Sequence, residues 1–208
     1  MQTVSQIRRL WKAHQYPRLM RELMAARPEA SLRAETELAR SVPCAAMIVI
    51  RLDELSQSHT SMYRRLLNVV LTAQQGDGGW GDPMTTAVAL RALLSGGGQG
   101  PAVDRGLAYL ANLQQDDGLW PCEGLRRMPA DTLASAFVLM QLGDRSAFRR
   151  AVHFADAVEC FAVRAAKLDD ATRRIWTHAS LRCRMTPAER GGDGFATLWM
   201  TANRRPAA

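Results

Sequence analysis

The sequence predicts an all-α chain built as an array of helical hairpins. β-branched and aromatic residues are few, whereas Ala, Leu, Arg and Met recur throughout, a mixture that favours helix. The segment Gln114-Gln115-Asp116-Asp117-Gly118-Leu119-Trp120 repeats Gln74-Gln75-Gly76-Asp77-Gly78-Gly79-Trp80 at a spacing of 40 residues, and a fixed period of this size marks a repeat architecture. Each copy closes an amphipathic segment and precedes a nearly all-apolar one, Thr86 to Leu94 and Thr132 to Met140. An amphipathic helix lies at a surface and a helix apolar on all sides lies inside. One repeat is therefore an outer helix, a Q-x-x-D-G-x-W corner and an inner helix.

Each corner residue has a structural reading. Gly78 and Gly118 supply the positive φ that turns a helix end sharply. Gln74 and Gln114 can bond backbone groups left open at helix ends. Asp77 and Asp117 are turn formers and caps. Trp80 and Trp120 are apolar plates packed beneath the corner.

Length and composition bound the rest. A chain of 208 residues, 47% hydrophobic and 23% charged, suits one globular domain spanning residues 1–208. The net charge of +7 comes mostly from arginine, spread in pairs such as Arg64-Arg65 and Arg126-Arg127 without a nucleic-acid motif, so solvated helix faces are expected and no nucleic-acid partner. Cys44, Cys122, Cys160 and Cys183 stand far apart without metal-ligand spacing, which fits a reduced cytoplasmic setting, and no metal is expected. The run Gly96-Gly97-Gly98-Gln99-Gly100-Pro101 lacks the Gly-Lys-Ser/Thr of a phosphate loop and reads as a turn, so no cofactor is expected. No signal-type apolar region opens the chain and no apolar run reaches the length of a membrane span.

In chain order, residues 5–26 read as a basic amphipathic helix interrupted at Pro17, with peripheral membrane contact as one use for it. A short helix runs to about Arg40. Residues 44–55 form an inner helix, 61–75 an outer one, 84–95 an inner one, 102–115 an outer one and 131–142 an inner one. Asp144 or Ser146 caps one long helix to about Lys167. A helix over 170–184 places Ile175, Trp176, Ala179 and Cys183 on one face, and Gly191-Gly192-Asp193-Gly194-Phe195 echoes the corner. The count is about ten helices, or five hairpins, and no strand.

Arg105-Gly106, Tyr109-Leu110, Gln114, Gly118 and Trp120 resemble the QW motif of squalene/hopene and oxidosqualene cyclases and, more loosely, of protein prenyltransferase β subunits. The first copy lacks the Gly and the aromatic, having Leu66 and Val69 there. The resemblance covers about residues 60–142 and implies a small or partial α-α toroid, apolar helices inside and amphipathic ones outside. It also implies that the corner residues stabilise and do not catalyse.

In that family the acid of the class II cyclases is the middle carboxylate of a D-x-D-D motif at the start of an inner helix. Carried over, the second-repeat window is Met128-Pro129-Ala130-Asp131, with Ala130 in the donor's place, and the first is Asp82-Pro83-Met84-Thr85, with Met84 there. Lys167-Leu168-Asp169-Asp170 has Lys for the first Asp and the wrong flank. Protonating an alkene needs a carboxylic acid kept protonated in a dry cavity. Asp131 is the one weak catalytic candidate and reads better as an N-cap. Cys122, Cys183, His153 and His178 lack the context of the prenyltransferase zinc ligands.

The expectation is a non-catalytic toroid-like domain holding an isoprenoid, another apolar ligand or a protein partner in its concave face. The alternatives are an enzyme or split-cyclase subunit of terpenoid metabolism and a purely structural scaffold. Five hairpins leave a ring open, to be closed by segment 5–26 (burying Trp11, Leu23 and Met24), by a second copy or by a partner.

Overall fold

A computed structural model describes residues 41–95, 97–98 and 100–184. Within them the chain is all-helical; the sole pairing of extended backbone is an isolated bridge between Pro121 and Ala130. The helices are α1 (Val42–Glu54), α2 (Ser61–Thr72), α3 (Pro83–Ser95), α4 (Pro101–Leu113), α5 (Thr132–Leu142), α6 (Ser146–Ala151), α7 (Phe154–Arg164) and α8 (Asp170–Arg184). A 3-10 turn, Ala165–Lys167, follows α7. The expected segment 5–26, the helix to Arg40 and the corner echo at 191–195 lie outside the described residues.

Most starts are written in the sequence. Prolines occupy the first turns of α1, α3 and α4, where a missing N–H costs nothing. Thr60 caps α2 by accepting the Tyr63 amide at 3.2 Å. Asp82, Asp131 and Asp169 each accept the amide three residues on, at 2.8, 2.7 and 3.0 Å, and so cap α3, α5 and α8 alike.

Helices α1, α3, α5 and α8 pack in chain order as an inner row, each on the next. Helix α2 covers α1 and α3, α4 covers α3, and α7 lies on α8 through Phe161 stacked on Trp176 at 4.3 Å. Every residue of α3 from Pro83 to Leu93 is buried, as is every residue of α5 from Ala134 to Met140. Removing that apolar area from water is the main force holding the row, at about 25 cal/mol per Å².

The long helix expected to run from Ser146 to Lys167 is two helices. Val152 is extended, at φ −123° and ψ 164°, and α7 begins afresh after His153. Phe148 and Val152 are both buried, and Phe148 sits 6.0 Å from the ring of Trp120. Neither Asp144 nor Ser146 caps this stretch: Arg145 is the N-cap residue, without a side-chain bond. Asp144 turns inward instead.

That inward turn belongs to a charge network at the C-terminal ends of the inner helices. Arg91 of α3 reaches Glu54 of α1 at 3.3 Å and Gln141 of α5 at 3.5 Å. Arg182 of α8 meets Asp144 at 3.3 Å, with their side chains 3% and 9% exposed. Arg145 approaches the same carboxylate at 3.6 Å. Burial and the neighbouring Arg91 both act to lower the Arg182 pKa, and Asp144 opposes them. Arg149 donates to the Gly143, Arg182 and Cys183 carbonyls at 2.6, 3.2 and 2.8 Å, closing the ends of α5 and α8.

A buried pair broken on one side leaves an uncompensated charge, whereas replacing both partners by apolar groups of similar volume is close to neutral. Asp144→Ala is therefore expected to cost about 3–5 kcal/mol. Asp144→Leu combined with Arg182→Met should recover most of it. Urea unfolding of the three proteins measures both, and a double variant as unstable as the single one would contradict the pairing.

Candidate functional site

The two corners anchor their tryptophans in the same way. The Trp80 indole donates to the Val70 carbonyl of α2 at 2.7 Å, and its backbone N–H donates to Thr86 Oγ1 of α3 at 3.0 Å. The Trp120 indole donates to the Leu110 carbonyl of α4 at 2.8 Å, and its N–H donates to Ser135 Oγ of α5 at 2.8 Å. Each tryptophan thus bolts the end of an outer helix to the start of the next inner helix.

The glutamines reach further. Gln74 Nε2 donates to the Gly78 carbonyl within its own corner and to the Ala102 carbonyl of α4, both at 2.8 Å. Arg105 donates back to Gln74 Oε1 at 2.5 Å. Gln114 Nε2 donates to Gly118 at 2.8 Å and His153 at 3.1 Å, while its Oε1 accepts the His153 N–H at 2.8 Å. This side-chain amide pairs with the backbone at the very residue where the long helix breaks. A corner therefore grips three helices: the outer one it ends, the inner one it starts and the outer one of the following hairpin.

Gly78 and Gly118 hold φ of +90° and +79°. A Cβ on Gly78 would lie 2.6 Å from the Arg105 carbonyl oxygen, and one on Gly118 would lie 2.5 Å from the Ala157 amide. Asp77 and Asp117 each accept the amide two residues on, at 2.9 and 3.1 Å. Asp117 also meets Arg164 of α7 at 3.1 Å.

Sequence reading missed Thr86 and Ser135 as the hydroxyl ends of these bolts. Tyr109, read in the sequence as a motif residue without a partner, donates to the Gly81 carbonyl at 3.1 Å, and burial pushes its pKa up to about 12, with Asp77 and Asp82 adding to the rise. A Thr or Ser four residues beyond the cap Asp is the signal that was available for the first two.

The same geometry moves the acid window. Asp82 and Asp131 are equivalent caps, and Thr86 and Ser135 equivalent acceptors of a tryptophan N–H. Leu133, not Ala130, then stands opposite Met84, and neither register supplies a carboxylate there. Asp82 accepts from the Thr85 amide and hydroxyl, at 2.8 and 2.7 Å. Asp169 does the same with Thr172, at 3.0 and 2.6 Å, and those bonds hold its pKa below the usual carboxylate value. These carboxylates stand as hydrogen-bond acceptors at helix starts.

Beside the second corner lies a cleft of about 490 Å³ lined by Gln115, Asp116, Asp117, Arg126, Arg127, Met128 and Pro129. Gln115 fixes its rim by donating to the Arg126 carbonyl at 3.3 Å and to that of Met128. It is polar and open, with Asp116 and the side chain of Arg126 exposed to solvent. Burial, followed by Asp131, pushes the Cys122 thiol up. Among the described residues, no group of three or more His, Cys, Asp or Glu could hold a metal, and no helix is long and apolar enough to cross a membrane.

The chain is similar to a drimenyl diphosphate synthase of Streptomyces showdoensis, at 36% identity over 111 residues. It is a distant partial homologue of a terpenoid synthase. The match covers 45% of this chain and 20% of the synthase, so the chain spans about a fifth of that relative's length. No family model and no solved structure matches it.

Gly118→Ala forces a side chain into a positive-φ site against the α7 backbone. It should destabilise by well over about 1 kcal/mol, whereas Gly76→Ala, with open space around it, should stay within about 0.5 kcal/mol of wild type. Equal melting of the two variants would count against the tight approach of corner and helix.

Proposed function

We propose that this chain is a non-catalytic helical module of the terpenoid-cyclase kind that works by engaging a protein partner. The observation that carries the reading is the use made of the inner-helix starts. Asp82 and Asp131 accept backbone amides there, and the donor's place is held by Met84 in one hairpin and by Leu133 or Ala130 in the other. A thioether, an isobutyl or a methyl group has no proton to give an alkene.

The partial likeness to a drimenyl diphosphate synthase supports a role linked to terpenoids. A second reading, an isoprenoid or other apolar ligand in the concave face of a toroid, draws on the same likeness. Against it stands the burial of α3 from Pro83 to Leu93 over its whole circumference, which leaves that stretch no face to line an open cavity. A protein partner, or a second copy closing the ring, asks for no such cavity.

Purified protein incubated with squalene and with prenyl diphosphates should release no cyclised product. Asp131→Asn should melt only slightly below wild type, by less than about 0.5 kcal/mol, because asparagine caps a helix start nearly as well as aspartate. A cyclised product that disappears in Asp131→Asn or Asp82→Asn would overturn the non-catalytic reading.

A further inference from the structure

Helix α8 occupies the fourth place in the inner row but differs from α1, α3 and α5 in what it turns away from the row. Its buried stripe is Thr172, Ile175, Ala179 and Arg182, and this side packs on α5. At 3.6 residues per turn the opposite stripe is Arg173, Arg174, Thr177, Leu181 and Arg184, all exposed. Leu181 is 42% exposed and lies along that stripe one turn before Arg184 and about two turns after Arg173 and Arg174. Arg173 has a local partner in Asp170, at 2.8 Å.

We propose that this stripe is a docking surface for an acidic protein partner, one that seats an apolar contact on Leu181 inside a rim of carboxylates facing Arg173, Arg174 and Arg184. The inference deepens the partner reading above and rests on it. An apolar centre within a charged rim is the anatomy of an interface that excludes water from its middle. The charge fixes the sign of the partner. A second copy would bring the same basic stripe, on a chain of net charge +7, and is repelled. A further inner helix of the row's own kind would need an apolar face here, and α8 offers one leucine among arginines.

The test uses the full chain and a synthetic amphipathic helical peptide carrying Leu on one face and Glu on its flanks. The comparison probes are the same peptide with Gln for each Leu, and vesicles of phosphatidylglycerol and phosphatidylcholine. Anisotropy titration should show binding of the Leu/Glu peptide, weakened at least about tenfold both by Leu181→Glu and by Arg174→Glu with Arg184→Glu. Melting temperatures should stay near wild type, because all three side chains are exposed. The proposal is overturned if the Gln peptide binds as well as the Leu peptide, since attraction is then charge alone. It is equally overturned if Leu181→Glu leaves peptide binding unchanged, or if the vesicles bind in preference to the peptide. Turnover of prenyl substrates is read in a separate assay, so failure of the docking surface and failure of the non-catalytic reading are distinguishable.

Discussion

The side-chain amide of Gln114 is the interaction on which the arrangement of hairpins depends. A carboxamide has the donor and acceptor of a peptide group, and here it takes the place of one. It donates to Gly118 and to His153 and accepts from His153, joining the corner to a chain segment 39 residues away. Gln114 is itself only 3% exposed, so water offers its amide little alternative and the loss of any partner is costly. Gln74 repeats the role toward Ala102. Hairpins that would otherwise adhere through apolar area alone, which is non-directional, are thereby fixed in register.

Two consequences follow for chemistry. The starts of α3, α5 and α8 each present an aspartate cap, and α3 and α5 add a hydroxyl for the tryptophan backbone. Those demands place Asp82, Thr86, Asp131 and Ser135 in the hydrogen-bonding framework of the corners. At the other end of the row the partly exposed pair of Arg91 with Glu54 and the buried pair of Arg182 with Asp144 draw α1, α3, α5 and α8 together.

Much of this was legible in the sequence, and the reason is locality. The inner helices expected over 44–55, 84–95 and 131–142 and the helix over 170–184 agree with α1, α3, α5 and α8 to within two residues, because proline and aspartate mark their starts close by. The break at Val152 and His153 was not legible, because its cause sits on Gln114, far off in the chain. Arg91 was hidden for the same reason: within an apolar helix it is explained only by Glu54 and Gln141 on neighbouring helices. Asp144 looked like a cap from its neighbours in sequence and became an ion-pair partner through α8. The acid window slipped by three residues because Thr132 stood opposite Thr86 in the sequence, whereas Ser135 is the residue that bonds the tryptophan backbone as Thr86 does.

Native-state hydrogen exchange on Gln114→Leu tests the three-helix grip most directly. Leucine keeps the volume and removes the amide, so outer-helix packing is left in place while the link to His153 is lost. The expected result is faster exchange across the first turns of α7 together with the end of α4, with α2 keeping its wild-type protection. Unchanged exchange in α7 would contradict the grip, and would leave the hairpins held by apolar contact alone.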